Sequence, residues 1–152
     1  MSSVAYLVFS QSVDTVLPID RLTTQARAHF DAVVSAARPG SSGASCLSYV
    51  SRGAHGEFEV SIRQLSADDV AAAQVVERSR PTGGLADLAS RCKTVWTVDA
   101  LEAPEWLVFE FSALLASIAL GPILTPDGSS LLGVRGARER ANRLRGGPAL
   151  MR

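Results

Sequence analysis

The sequence predicts an α+β protein: a ferredoxin-like βαββαβ sandwich, mainly antiparallel, extended by an apolar helix, a short hairpin-like turn and an arginine-rich helix. Three observations carry this reading. Strand-like and helix-like segments follow one another as strand, helix, strand, strand, helix, strand, the order of the split βαβ arrangement with both helices on one sheet face. Residues 94–132 then gather the apolar mass, including Trp96, Trp106, Phe109 and Phe111 out of nine aromatic residues in the chain. Finally, the charge is unevenly placed. From Arg135 onward there are six arginines against Glu139 alone, a balance of +5, while the preceding residues carry −5, so the formal net charge is zero.

Residues 4–10 are almost continuously apolar and rich in β-branched and aromatic side chains, which predicts a central strand covered on both faces. Asp20 is a suitable N-cap, and Leu22, Ala26, Phe30, Val33, Val34 and Ala37 share one helical face, so a helix is expected over 20–37. Pro39 and the glycines of 40–43 end it. Strands follow at 44–52 and 57–65, joined by a loop bracketed by Gly53 and Gly56. In the second of these, Phe58, Val60 and Ile62 alternate with Glu57, Glu59, Ser61 and Arg63, giving one buried and one wet face.

Ser66 with Asp69 three residues on reads as a capping box opening a helix to about Arg78. A short helix at 85–92 and a strand at 94–98 complete the sandwich. The helix over 104–120, with Pro104 at its start and Gly121 at its C-terminal cap, is apolar nearly all round and must be covered on more than one side, by the other sheet face or by a second copy of the chain. A turn at 125–128 separates short extended pieces at 123–124 and 130–134. Residues 136–145 form a charged helix with Leu144 as its one large apolar residue, expected on the surface or projecting. Residues 1–145 are read as one domain and 146–152 as a flexible tail.

At 152 residues, 47% hydrophobic and 20% charged, the chain is long enough to build a core without staples and too apolar for disorder. Cys46 and Cys92, the only cysteines, lack zinc spacing and read as buried free thiols. The N-terminus has no basic stretch before its short apolar run, and the apolar helix is too short and too interrupted to span a bilayer, so a cytoplasmic location without membrane contact is expected. Fourteen of the fifteen basic residues are arginine, a trace of a GC-rich, bacterial coding sequence.

No catalytic, metal or cofactor signature stands out. Cys46 with His55 is the best nucleophile pair, but it depends on strand register. His29 has no second ligand at helical spacing. Residues 80–84, with Arg80, Thr82, Gly83 and Gly84 before a short helix, form a weak anion-binding candidate that matches no phosphate-loop pattern. Of the carboxylate pairs Asp68 with Asp69, Glu57 with Glu59, and Glu105 with Glu110, only Glu110 is unusual, because it stands inside an apolar helix and must be paired or face a gap.

The reading that follows is a non-enzymatic protein-interaction module, of adaptor, inhibitor, immunity or assembly type, whose partner is another protein or a second copy in a homodimer. An alternative is a small-ligand binder or small enzyme with a pocket between the sheet and the 104–120 helix, lined by Trp96, Trp106 and Glu110. A further alternative is nucleic-acid binding through Arg135, Arg138, Arg140 and Arg143, against which Glu57 and Glu59 on the sheet argue.

Overall fold

In the computed structural model, which describes residues 5–39 and 44–146, seven antiparallel strands form one open sheet with five helices on its two faces. In chain order these are β1 (Tyr6–Ser10), α1 (Ile19–Gln25) running on as a π-helical turn (Ala26–Phe30), β2 (Ala32–Pro39), β3 (Ser45–Ser51), β4 (Ala54–Gln64), α2 (Ala67–Ser79), α3 (Leu85–Ser90), β5 (Thr94–Glu102), α4 (Glu105–Ala119), β6 (Ile123–Leu124), β7 (Leu131–Leu132) and α5 (Val134–Gly146). The strands lie side by side as β2-β3-β4-β5-β1-β6-β7. The expected turn at 40–43 and the expected tail beyond Gly146 fall outside the described residues.

The two-residue side-chain period of the strands sorts the core into two clusters, one on each face. Val8 of β1, Leu47 and Tyr49 of β3, Phe58 and Val60 of β4, and Trp96 and Val98 of β5 meet α1 and α4. Phe9 and Val95, the next residues along, meet α2 and α3 on the other side. Val8 is in register with Trp96 and Phe9 with Val95, so β1 is covered on both faces, as its apolar run predicts.

The α+β class holds, but the ferredoxin-like arrangement does not match the observed sheet. That fold places the first strand between the third and fourth with both helices on one face. Here β5 lies between β4 and β1, β1 is antiparallel to both β5 and β6, and the helices occupy both faces. The expected helix over 20–37 is also half strand. Leu22, Ala26 and Phe30 do lie on a buried helical stripe, but Asp31 turns left-handed at φ 50° and the chain continues as β2. Val33 and Val34 satisfy helical spacing and strand alternation alike, and β-branching with burial decides for the strand. Val34 enters the core at 3% exposure while Val33 points out at 47%.

The capping box of α2 forms as expected, with Asp69 N–H donating to Ser66 Oγ and Ser66 N–H to Asp69 Oδ2. Arg63 at the end of β4 adds a two-pronged ion pair to the same carboxylate, at 2.6 and 2.8 Å. Burial pushes Asp69 upward, but the Arg63 and Ser66 bonds outweigh it and hold the carboxyl below its usual range.

Helix α4 crosses the sheet face opposite α2 and α3, and Leu107, Phe111, Leu114 and Leu115 are fully enclosed. Each such side chain contributes roughly 1.5–3 kcal/mol. Its C-terminal end departs from expectation: Leu120, not Gly121, takes the left-handed cap position, at φ 63°. Gly121 is required for a different reason, because a Cβ there would lie 2.0 Å from the Phe9 carbonyl oxygen. The backbones close together at this point, with Phe9 N–H donating to Pro122 O at 2.9 Å and Gln11 N–H to Ala119 O at 2.9 Å.

Gly121→Ala is therefore expected to destabilise the protein by about 3 kcal/mol and lower its thermal midpoint by roughly 10 °C, since backbone must move. Gly133→Ala, which would meet nothing within 4 Å, serves as the control with little change. Calorimetry of the two variants checks the difference.

Candidate functional site

The sequence-singled residues on α4 and α5 come together, though not as a pocket. Glu110 is 5% exposed and faces β3, where Tyr49, itself fully buried, donates its hydroxyl to Oε2 at 2.6 Å. Burial first, and then the bond to Glu110, push the Tyr49 phenol far up, so it stays protonated and acts as donor. Arg145 approaches from α5 with Nη1 3.9 Å from Glu110 Oε1, an ion pair beyond hydrogen-bond length. Tyr49 also packs edge-on to Phe111, which stacks on Phe58 at 4.2 Å. Glu110 thus ties α4 to the sheet at one side and to α5 at the other.

Three arginines of α5 turn inward. Arg138 lies 4.2 Å over the Phe30 ring and donates to His29 O at 3.0 Å; Arg140 lies 5.3 Å over Phe109; Arg145 lies 5.4 Å over Trp106. Ala137 and Ala141, one turn apart and buried, let the helix approach α4 closely. The helix lies on the surface, one of the two expected placements, and is packed down rather than projecting: its large apolar residue, Leu144, is 43% exposed, and two alanines make the seam. Arg135 and Arg143 remain outward, on the exposed side of α5.

Trp96, Trp106 and Glu110 do not share a cavity. Trp96 is 2% exposed and lines a small void of about 60 Å³ with Ser12, Asp14 and Arg21, away from the other two. The expected anion site at Arg80, Thr82, Gly83 and Gly84 is filled from within: the Glu77 carboxylate accepts from Thr82 N–H at 2.6 Å, from the Thr82 hydroxyl and from Ala86 N–H at 3.2 Å. These bonds hold Glu77 below its usual range. The anion-binding chemistry read from that loop is present, with the chain's own carboxylate as occupant.

Cys46 and His55 do not pair. Cys46 lies opposite Glu59 and His55 opposite Val50, which sets them four residues apart along β3, roughly 13 Å. His55 instead meets Ser48, Nε2 to Oγ 2.8 Å. Both free thiols are buried, and burial pushes Cys92 up, away from thiolate reactivity. Among the described residues there is no group of three or more metal-ligating side chains, and no helix is long and apolar enough to cross a membrane.

What the sequence reading passed over is a surface. The cluster under α2 and α3 takes residues from β1, β5, β6 and β7 and none from β2, β3 or β4. Among the described residues, the side of those three strands turned away from α4 therefore has no apolar cluster under a helix, and α2 reaches it only at the Arg63 end of β4. Register places Val33, Val50 and His55 in one row across it, Ser35, Ser48 and Glu57 in the next, and Arg38, Cys46, Glu59 and Asp99 in a third. Val33 and Val50 are 47% and 39% exposed. Burial, and then the neighbouring Glu59, push the Asp99 carboxyl up. The alternation in 57–63 announced a wet face, but β2, which supplies the apolar edge of the surface, was read as helix.

No family model, curated protein or solved structure matches the chain.

Tyr49→Phe is expected to cost about 2 kcal/mol in urea denaturation, because a buried carboxylate oxygen loses its only close donor. Pairing it with Glu110→Met removes both polar groups and is expected to recover much of that loss. Additive losses in the double variant would show that the bond carries no coupling.

Proposed function

We propose that the protein is a non-enzymatic interaction module that holds a protein partner on the side of β2, β3 and β4 turned away from α4. The observation that carries this reading is the row structure of that surface. An apolar pair, Val33 and Val50, borders polar and charged rows holding Arg38, Ser48, Glu57, Glu59 and Asp99. Apolar contact with a charged surround is what a specific interface needs, the apolar part for affinity and the charge for steering. β2 also ends the sheet, so its outer backbone groups are placed to accept an added strand.

Nucleic acid is disfavoured by where the basic side chains go. Two of the arginines read as nucleic-acid contacts, Arg138 and Arg140, are spent on Phe30 and Phe109 of the same chain.

The test is capture from the native cell lysate with wild type and with Val33→Thr/Val50→Thr, which keeps β-branched residues at both exposed strand positions. The expected result is a protein partner bound by wild type and weakened by at least about tenfold in the double variant. Equal capture by both forms, or no protein captured by wild type, would overturn the proposal.

A further inference from the structure

At the opposite side of the sheet, where β1 begins, the first turn of α4, the 125–129 turn and α5 enclose a cavity of about 260 Å³. Its apolar wall is Phe109 with Tyr6 edge-on to it, ring centres 5.5 Å apart at 85°. Around that wall stand two carboxylates, Glu105 and Asp127, and one guanidinium, Arg140. Each is positioned by local structure. Glu105 is the first residue of α4. Asp127 is fixed in the turn, its Oδ1 accepting from Ser129 N–H at 3.0 Å, Ser129 Oγ at 2.8 Å and Thr125 Oγ1 at 2.9 Å. Arg140 is stacked over Phe109 and donates to Ser130 Oγ at 3.3 Å.

The three charges line the same cavity as the Tyr6 phenol. Burial pushes that phenol up, Glu105 and Asp127 push it further and Arg140 pulls it back, so it stays a hydrogen-bond donor. Donors for one carboxylate, acceptors for two cations and aromatic side chains thus line one concave site. The balance of two negative charges to one positive selects a ligand of the opposite balance.

From this arrangement we infer that the cavity binds a small cationic amino acid, its carboxylate on Arg140 and Tyr6, its two ammonium or guanidinium groups on Glu105 and Asp127, and its methylene chain along the Tyr6 ring and Pro126. This site is independent of the sheet surface assigned to a protein partner. It also differs from the pocket expected of Trp96, Trp106 and Glu110; the sequence read Glu105 only as a partner for Glu110 and Asp127 only as a turn former.

Calorimetric titration of the full chain with L-lysine, L-ornithine, L-alanine and cadaverine tests it. The expected result is binding of lysine or ornithine with a Kd of about 1 mM or tighter. Alanine, which lacks the second cation, and cadaverine, which lacks the carboxylate, are expected to be at least about tenfold weaker. Glu105→Gln, an exposed change at a helix start, is expected to leave the thermal midpoint of the free protein unchanged and weaken lysine by about tenfold. No heat with lysine or ornithine, cadaverine binding as well as lysine, or Glu105→Gln binding as wild type would each overturn the inference.

Discussion

A helix with no wet side has to be enclosed, and α4 imposes that requirement on the whole chain. Twelve of its fifteen residues are buried. The sheet covers it from below, α1 meets it at one flank and α5 lies along another. The sheet can serve as floor because β3, β4, β5 and β1 all turn their apolar row toward it. With that face taken by α4, the shorter helices α2 and α3 pack on the other, over β1 and the small strands β6 and β7. The three-layer arrangement, and the departure from a ferredoxin-like sheet, follow from where this one helix must go.

The cover that α5 provides explains the charge asymmetry of the sequence. A planar guanidinium can stack on an aromatic ring with its stem on apolar surface and its edge in water, which an ammonium does less well. Three arginines of α5 use three rings, Phe30, Phe109 and Trp106, carried on the π-helical turn and on α4. The basic segment is thereby a docking device for the chain's own acidic, aromatic body, with alanines at the line of closest approach. Glu110 completes it from inside the apolar helix, held by Tyr49 and facing Arg145.

The legible parts of this fold were those where one local signal acts alone. Ser66 and Asp69 announce their capping box, residues 57–63 their alternation, and Glu110 its need for a partner. The first helix was misjudged beyond Phe30 because Val33 and Val34 fit both periods and the deciding event, Asp31 turning left-handed, leaves no sequence mark. Leu120 was passed over as a cap for a related reason: a leucine pays about 1–2 kcal/mol in that conformation, and only the contact of Gly121 with the Phe9 backbone makes it worthwhile. The surface on β2, β3 and β4 and the cavity beside Tyr6 were hidden because each joins residues distant in the chain through register and helix docking.

The central claim is that α5 is an integral wall of the core and not an appended basic arm. Native-state hydrogen exchange on the full chain tests it most directly, read at the amides of α4 and of Ala137 and Ala141 as denaturant is raised. The expected result is that the α5 amides open in the same cooperative step as those of α4. Exchange of α5 in a separate, low-energy step while α4 stays protected would contradict the account.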